Sequence, residues 1–206
     1  MDIRQYSFSN KIYMFVCWIR TKLFYPQLKV IRFPFDIRNQ KNIKLGKRLS
    51  IGRMCRFEVS QENSRHNRIC LSIGADTRIG DFVHISALES VIIGENCGIG
   101  PKCVITDVNH GDFSEEVAFD ITIPYKQWPL HGKPVRIGNN VWLGEMVCVL
   151  PGVSIGDGCV VGALSSVTKS IPPYSMAVGN PAKIIKRYDP IRKGWYRTND
   201  QGVFVK

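Results

Sequence analysis

The sequence of 206 residues predicts an all-β chain: a parallel β-helix of hexapeptide coils with one protruding loop and short helical caps at its N- and C-terminal ends. Three observations predict it. A six-residue period runs from Leu45 onward, small residues keep one fixed phase within that period, and a single long break separates Ile105 from Ile137. A period so short, sustained over so many units, is the mark of a coil in which each hexapeptide forms one flat side and stacks on the coil before it.

The repeat is plainest in "IGADTRIGDFVH" from Ile73, "IGENCGIGPKCV" from Ile93 and "IGNNVWLGEMVCVLPGVSIGDGCVVGALSS" from Ile137. Each unit opens on an aliphatic residue that fills the coil interior. Its fifth position is small or β-branched (Thr77, Val83, Cys97, Cys103, Val141, Val147, Cys159) and packs beside that filler. Gly and Asn suit the tight corners, because they tolerate positive φ. No CxxC occurs among the seven cysteines, and Cys55, Cys97, Cys103 and Cys159 share the fifth-position phase. They read as small apolar packing residues in a reducing cytosol, and not as a disulfide or metal framework.

The chain divides into an N-terminal segment over 1–42, a coil domain over 43–181 carrying a loop over 107–136, and a helix with tail over 182–206. Its net charge of +11 is unevenly spread: residues 1–60 hold 13 Lys and Arg against 3 Asp and Glu. No nucleic-acid motif accompanies this charge, so the basic ends point to an anionic membrane surface or a phosphorylated ligand instead. The apolar run "IYMFVCWI" has eight residues, far short of the roughly 20 that a membrane-spanning helix requires. Phe8, Ile12, Phe15, Val16, Ile19 and Leu23 recur at helical spacing. Two placements fit this stripe: against the chain's own coils, or on a membrane interface at its cytoplasmic face.

The break at "ITDVNHGDF" holds Asp107, Asn109, His110 and Gly111, followed by Phe113, Phe119, Pro124, Tyr125, Trp128, Pro129 and Pro134. Long loops in a repeating scaffold are usually functional, and so many aromatics argue against disorder. A histidine there can act near neutral pH as a base toward a hydroxyl, which is a poor nucleophile until its proton is removed.

The repeat, with "ITDVNHGDF", "GNNVWLGE", "VTKSIPP" and "GNPAKIIK" in this order, resembles the hexapeptide acyltransferases with a left-handed β-helix. Among these it is most similar to bacterial sugar O-acetyltransferases acting on O-antigen or capsule, and it is similar also to galactoside and maltose acetyltransferases. The resemblance covers roughly residues 43–188. The left hand of the coil is implied by the resemblance alone, since the general crossover rule favours a right hand.

The resemblance implies a cytoplasmic, acetyl-CoA-dependent homotrimer without metal, whose acceptor is a carbohydrate, lipid-linked or free. His110 is implied as the base for direct transfer to the acceptor. Asp107 and Asn109 would orient its imidazole or bind the acceptor, and the sequence does not choose between these. His84, Asp81 and Trp128 fall on the acceptor side. The galactoside-type enzymes have serine where this chain has Glu145, which leaves the backbone N–H groups of Gly144 and Glu145 as oxyanion donors. Trp142 would flank the pantetheine arm or pack between subunits. Gly162 and Ala163 would line the pantetheine, with Thr168, Lys169 and Lys183 toward the nucleotide phosphates. Hexapeptide carbonic anhydrases bind zinc through three histidines, but His66, His84, His110 and His131 lack that family's pair spaced five apart. Antibiotic O-acetyltransferases and amino-sugar N-acetyltransferases share enough of the pattern to stay open, as does a non-catalytic binding protein on the same scaffold.

Overall fold

The structure, a computed structural model, describes residues 6–60, 68–112, 120–199 and 202–205. Short strands follow one another around a three-sided coil and pair in parallel with the coils before and after. The first face stacks Val30–Ile31, Ser50–Ile51, Arg78–Ile79, Gly98–Ile99, Trp142–Leu143, Val160–Val161 and Ser175–Val178. Six strands make the second face: Phe35–Arg38, Cys55–Val59, His84–Ala87, Val104–Thr106, Cys148–Val149 and Ser166–Val167. The third holds Ile43–Leu45, Leu71–Ile73, Val91–Ile93, Val135–Ile137 and Ser154–Ile155, with Ile171 bridging to Ile155.

Alternation along each strand sends one side chain inward and the next outward, so the aliphatic residue that opens each hexapeptide becomes the coil filler. Ile73, Ile93, Ile137, Leu143, Ile155 and Val161 are at most 2% exposed, and the fifth-position residues Thr77, Val83, Cys97, Cys103, Val141, Val147 and Cys159 are equally enclosed. All seven cysteines are free thiols. Burial pushes Cys55 and Cys103 up to about 11, which keeps them protonated and inert.

The corners depart from expectation. Besides Asn, they place bulky residues in the left-handed region: Met54, Phe82, Lys102, Met146 and Leu164, at φ 57 to 60°, repeat at the edge between the first and second faces. Each such residue costs roughly 1 kcal/mol or more of strain. The compensation is a bond between coils, because the twisted amide donates to the coil below: Phe82 to the Arg53 carbonyl, Met146 to Pro101 and Leu164 to Glu145, each at 2.9 Å.

Three expected boundaries move. Coiling starts ahead of residue 43, since Val30–Ile31 pairs with Ser50–Ile51 and Phe35–Arg38 pairs with Cys55–Val59. This first coil lacks the repeat's glycines and turns at Pro34 and Asn39, which hides it from a search for sixes. The loop expected over 107–136 already rejoins the third face at Val135. The C-terminal helix expected within 182–206 is instead a pair of strands: Lys183–Asp189 runs antiparallel to Ser175–Val178, and Gly194–Arg197 runs antiparallel to Lys183–Asp189. The physical reason is the open edge of the last coil, whose free backbone donors and acceptors are met by a strand and would not be met by a helix. The N-terminal cap is helical, over Phe8–Phe24.

Candidate active site

Short corners keep the edge between the first and second faces regular. The edge between the second and third faces is where the chain leaves the coil, between Val59 and Leu71 and again between Thr106 and Val135. Phe113 and Phe119 of the second excursion and His66 of the first lie outside the described residues.

Asp107 forms the root of the loop. It is fully buried, and its carboxylate accepts the amides of Leu88 at 2.7 Å, Glu89 at 2.8 Å and Ser90 at 2.6 Å. Burial pushes its carboxyl up, against the pull of these three amides. Both oxygens are thus committed to the turn of the preceding coil, and Asp107 does not orient the His110 ring. From this anchor Val108–His110 runs antiparallel to Leu130–Gly132, pairing Asn109 with His131 and His110 with Leu130. The Lys133 amide closes the root on the Asp107 carbonyl at 2.8 Å.

His110 and Asn109 stand exposed on this hairpin. The Tyr125 ring lies against the His110 imidazole with centroids 4.9 Å apart, and Trp128 meets Tyr125 edge-on at 5.5 Å. The Trp128 indole N–H donates to the Ile123 carbonyl at 3.0 Å, so it braces the loop. Among the described histidines the contrast is clear. His84 Nε2 sits 2.8 Å from a Glu58 carboxylate oxygen with Arg56 on its other nitrogen, and His131 Nδ1 faces Asp112 at 3.5 Å. His110 makes no hydrogen bond among the described residues and keeps both ring nitrogens open.

The remaining residues expected at the site fall elsewhere. Asp81 accepts the Arg53 amide at 3.0 Å and pairs with the Arg32 and Arg53 side chains, so it ties the first coils together instead of facing an acceptor. Trp142 is exposed on the first face, and its ring has room because the residue beneath is Gly98, where an added Cβ would come 3.2 Å from Trp142 Cδ1. Gly144, Glu145, Gly162 and Ala163 stack on consecutive corners between the first and second faces. The Gly144 N–H donates to the Val161 carbonyl at 2.8 Å and is therefore committed to the coil, not free for an oxyanion. Thr168 and Lys169 are exposed on the His110 edge, at the corner after Ser166–Val167. Lys183 is exposed at the start of the C-terminal strand, beyond Ala182, whose amide reaches the Ser166 carbonyl at 2.8 Å. Within one chain, His110 and the Trp142–Ala163 group are thus on different edges of the prism. Tyr125 was visible as a loop aromatic, but its contact with His110 depends on the hairpin register and left no local signal. Among the described residues, no group of three or more His, Cys, Asp or Glu side chains is placed to hold a metal ion.

Residues 134–169 match the model of the bacterial transferase hexapeptide repeat, six repeats. A putative lipopolysaccharide-biosynthesis O-acetyl transferase of Escherichia coli is 40% identical over 176 residues, covering 85% of this chain and 87% of that one. The chain belongs to the bacterial hexapeptide-repeat transferases. It is an acetyltransferase of that family. A putative acetyltransferase of Staphylococcus aureus matches more locally, at 59% identity over 56 residues, 27% of this chain and 28% of that one. In fold, a variant of the Bacillus cereus N-acyltransferase AntD, bound to dTDP and coenzyme A, superposes with a TM-score of 0.65 over 91% of this chain and 92% of its own, at 21% identity. A hexapeptide-repeat acetyltransferase of Vibrio cholerae complexed with acetyl coenzyme A gives 0.57 over 73% and 74%, at 23% identity.

Proposed function

We propose that this hexapeptide-repeat transferase moves an acetyl group from acetyl-CoA to a sugar hydroxyl of a bacterial surface polysaccharide or its precursor, in the cytoplasm, with His110 as general base. The observation that carries the reading is the His110 imidazole: exposed, steadied by Tyr125, and with both nitrogens open while the other described histidines face carboxylates. The name of the E. coli relative supports the acceptor class.

His110 takes the proton of the acceptor hydroxyl as its oxygen bonds to the thioester carbonyl carbon. The tetrahedral intermediate then collapses, the carbon–sulfur bond breaks, and the departing thiolate receives the proton from His110. No acyl-enzyme forms. Gly144 being committed, the Glu145 backbone N–H is the coil donor proposed for the oxyanion. Asn109, exposed beside His110, is assigned to the acceptor, together with His84 and the Tyr125–Trp128 pair.

The Trp142–Ala163 group on one edge and the base on another call for a second copy to bring them together. We therefore propose a homotrimer of left-handed coils, in which Trp142, Gly162 and Ala163 of one subunit face the His110 loop of its neighbour, with Thr168, Lys169 and Lys183 toward the nucleotide phosphates. The test is acetyl transfer from acetyl-CoA to a panel of surface glycans, their lipid-linked precursors, amino sugars and aminoglycosides, read by mass spectrometry. Acetylation of a glycan hydroxyl is expected. Transfer only to amines, or only to the antibiotics, would replace the acceptor class. Absence of acetyl-CoA binding in a calorimetric titration would overturn the enzymatic reading.

A further inference from the structure

The N-terminal helix attaches to the coil by its polar side and turns its apolar side away. Successive helical residues rotate by about 100°, which puts Phe8, Ile12, Phe15, Ile19 and Leu23 on one stripe with Val16 at its border. Phe8, Phe15 and Leu23 are 79%, 60% and 72% exposed, whereas Cys17 and Thr21 on the opposite side are buried. The attachments are hydrogen bonds. Thr21 Oγ1 accepts the Ile31 amide at 2.8 Å and donates to the Cys17 carbonyl at 2.7 Å, and the Tyr13 hydroxyl donates to the Phe33 carbonyl at 2.7 Å. Lys22 Nζ donates to the Leu28 carbonyl at 2.6 Å, and the Arg20 guanidinium lies 4.1 Å over the Phe33 ring. Capping the first coil therefore uses none of the stripe.

Beside the helix opens a cleft of about 500 Å³ that includes Trp18, Lys29, Arg48, Asp76 and Arg78. Arg48 is paired with Asp76, while Lys29 and Arg78 make no ion pair among the described residues. The cleft thus has cations to spare next to an uncovered apolar stripe and an exposed tryptophan, the composition of a helix that lies in the plane of a membrane interface. No helix among the described residues is long and apolar enough to cross a bilayer.

We propose that this face docks on an anionic bilayer, with the stripe at the boundary of headgroups and acyl chains and the Lys29–Arg78 side of the cleft against lipid phosphates. Charge decides against a second copy as the occupant. Residues 1–60 carry 13 basic and 3 acidic side chains, and a two-fold contact through the helix would set those cations against themselves.

The test is flotation of the full chain with vesicles of phosphatidylglycerol mixed into phosphatidylcholine, and of phosphatidylcholine alone, at low and high salt. The wild-type protein should float with the mixed vesicles at low salt and be partly released by high salt. The double variant Phe15→Ser, Ile19→Ser, at exposed positions and checked by circular dichroism, should lose about tenfold in bound fraction. Lys29→Gln with Arg78→Gln should lose the preference for phosphatidylglycerol. Wild-type protein that stays at the bottom at low salt, or variants that float like wild type, would overturn the proposal. So would light scattering in which Phe15→Ser, Ile19→Ser lowers the number of subunits, since the stripe would then bind protein.

Discussion

Two edges of the prism are assembled from the same hexapeptide and differ in what they allow the chain to do. Between the first and second faces the corners are short, even where Met146 and Leu164 must twist into the left-handed region, because each corner amide is bonded to the coil below. Between the second and third faces the chain departs twice, and the second departure carries His110 on a hairpin anchored by a buried carboxylate. The regular edge stores its stability in coil-to-coil contacts that admit no extra atom. At the interrupted edge one buried group, Asp107, replaces the missing corner and frees the residues after it to face solvent. Repetition makes a rigid rail, and a single polar anchor suffices to hang a reactive loop from it.

The largest expected effect tests the loop. His110→Ala should reduce turnover by about 10² to 10⁴, the usual worth of a general base, with little change in acetyl-CoA affinity. Steady-state kinetics beside calorimetric titration check this, and near-normal turnover would remove His110 from the chemistry. Next comes the anchor. Asp107→Asn puts an amide NH₂ where three backbone donors now converge, and should cost about 1.5–3 kcal/mol of stability in a denaturant titration. Burial raises the Asp107 pKa, so its contribution to folding is full below the unfolded carboxylate value of about 3.9 and diminishes as pH rises through the folded value. The Asn variant should lack that acid-range slope.

On the regular edge, Gly144→Ala would bring a Cβ to 2.6 Å from the Ala163 backbone nitrogen. Forcing two coils apart should cost about 1–3 kcal/mol and weaken acetyl-CoA binding without altering the pH profile of turnover. A variant as stable as wild type would show the edge to be more compliant than its spacing indicates. Smallest is the support of the base: Tyr125→Ala should lower kcat by about 2- to 10-fold, the equivalent of one aromatic pair, while Tyr125→Phe keeps the ring and most of the rate.

Much of the scaffold is legible in the sequence because the hexapeptide period and strand alternation are both local. Ile73, Ile93, Ile137 and Ile155 occupy the core their phase assigns. His110 stood out as the histidine at the break. The first coil escapes that period because its corners use Pro34 and Asn39 in place of the repeat's glycines, and the C-terminal strands escape it because "KIIKRYD" has no pattern that excludes a helix. Asp107 could not be told from a ligand of His110, since its three partners lie 17 to 19 residues earlier.

The stacked coil, the interior residues, the inert cysteines and the position of the break all follow from spacing within a few residues. Tertiary structure alone decided which edge each corner joins, that Asp107 anchors while Asp81 ties the first coils, that Gly144 has no free amide, and that the N-terminal stripe faces outward. These depend on what one coil meets in the next, a contact between residues far apart in the chain that no local pattern encodes.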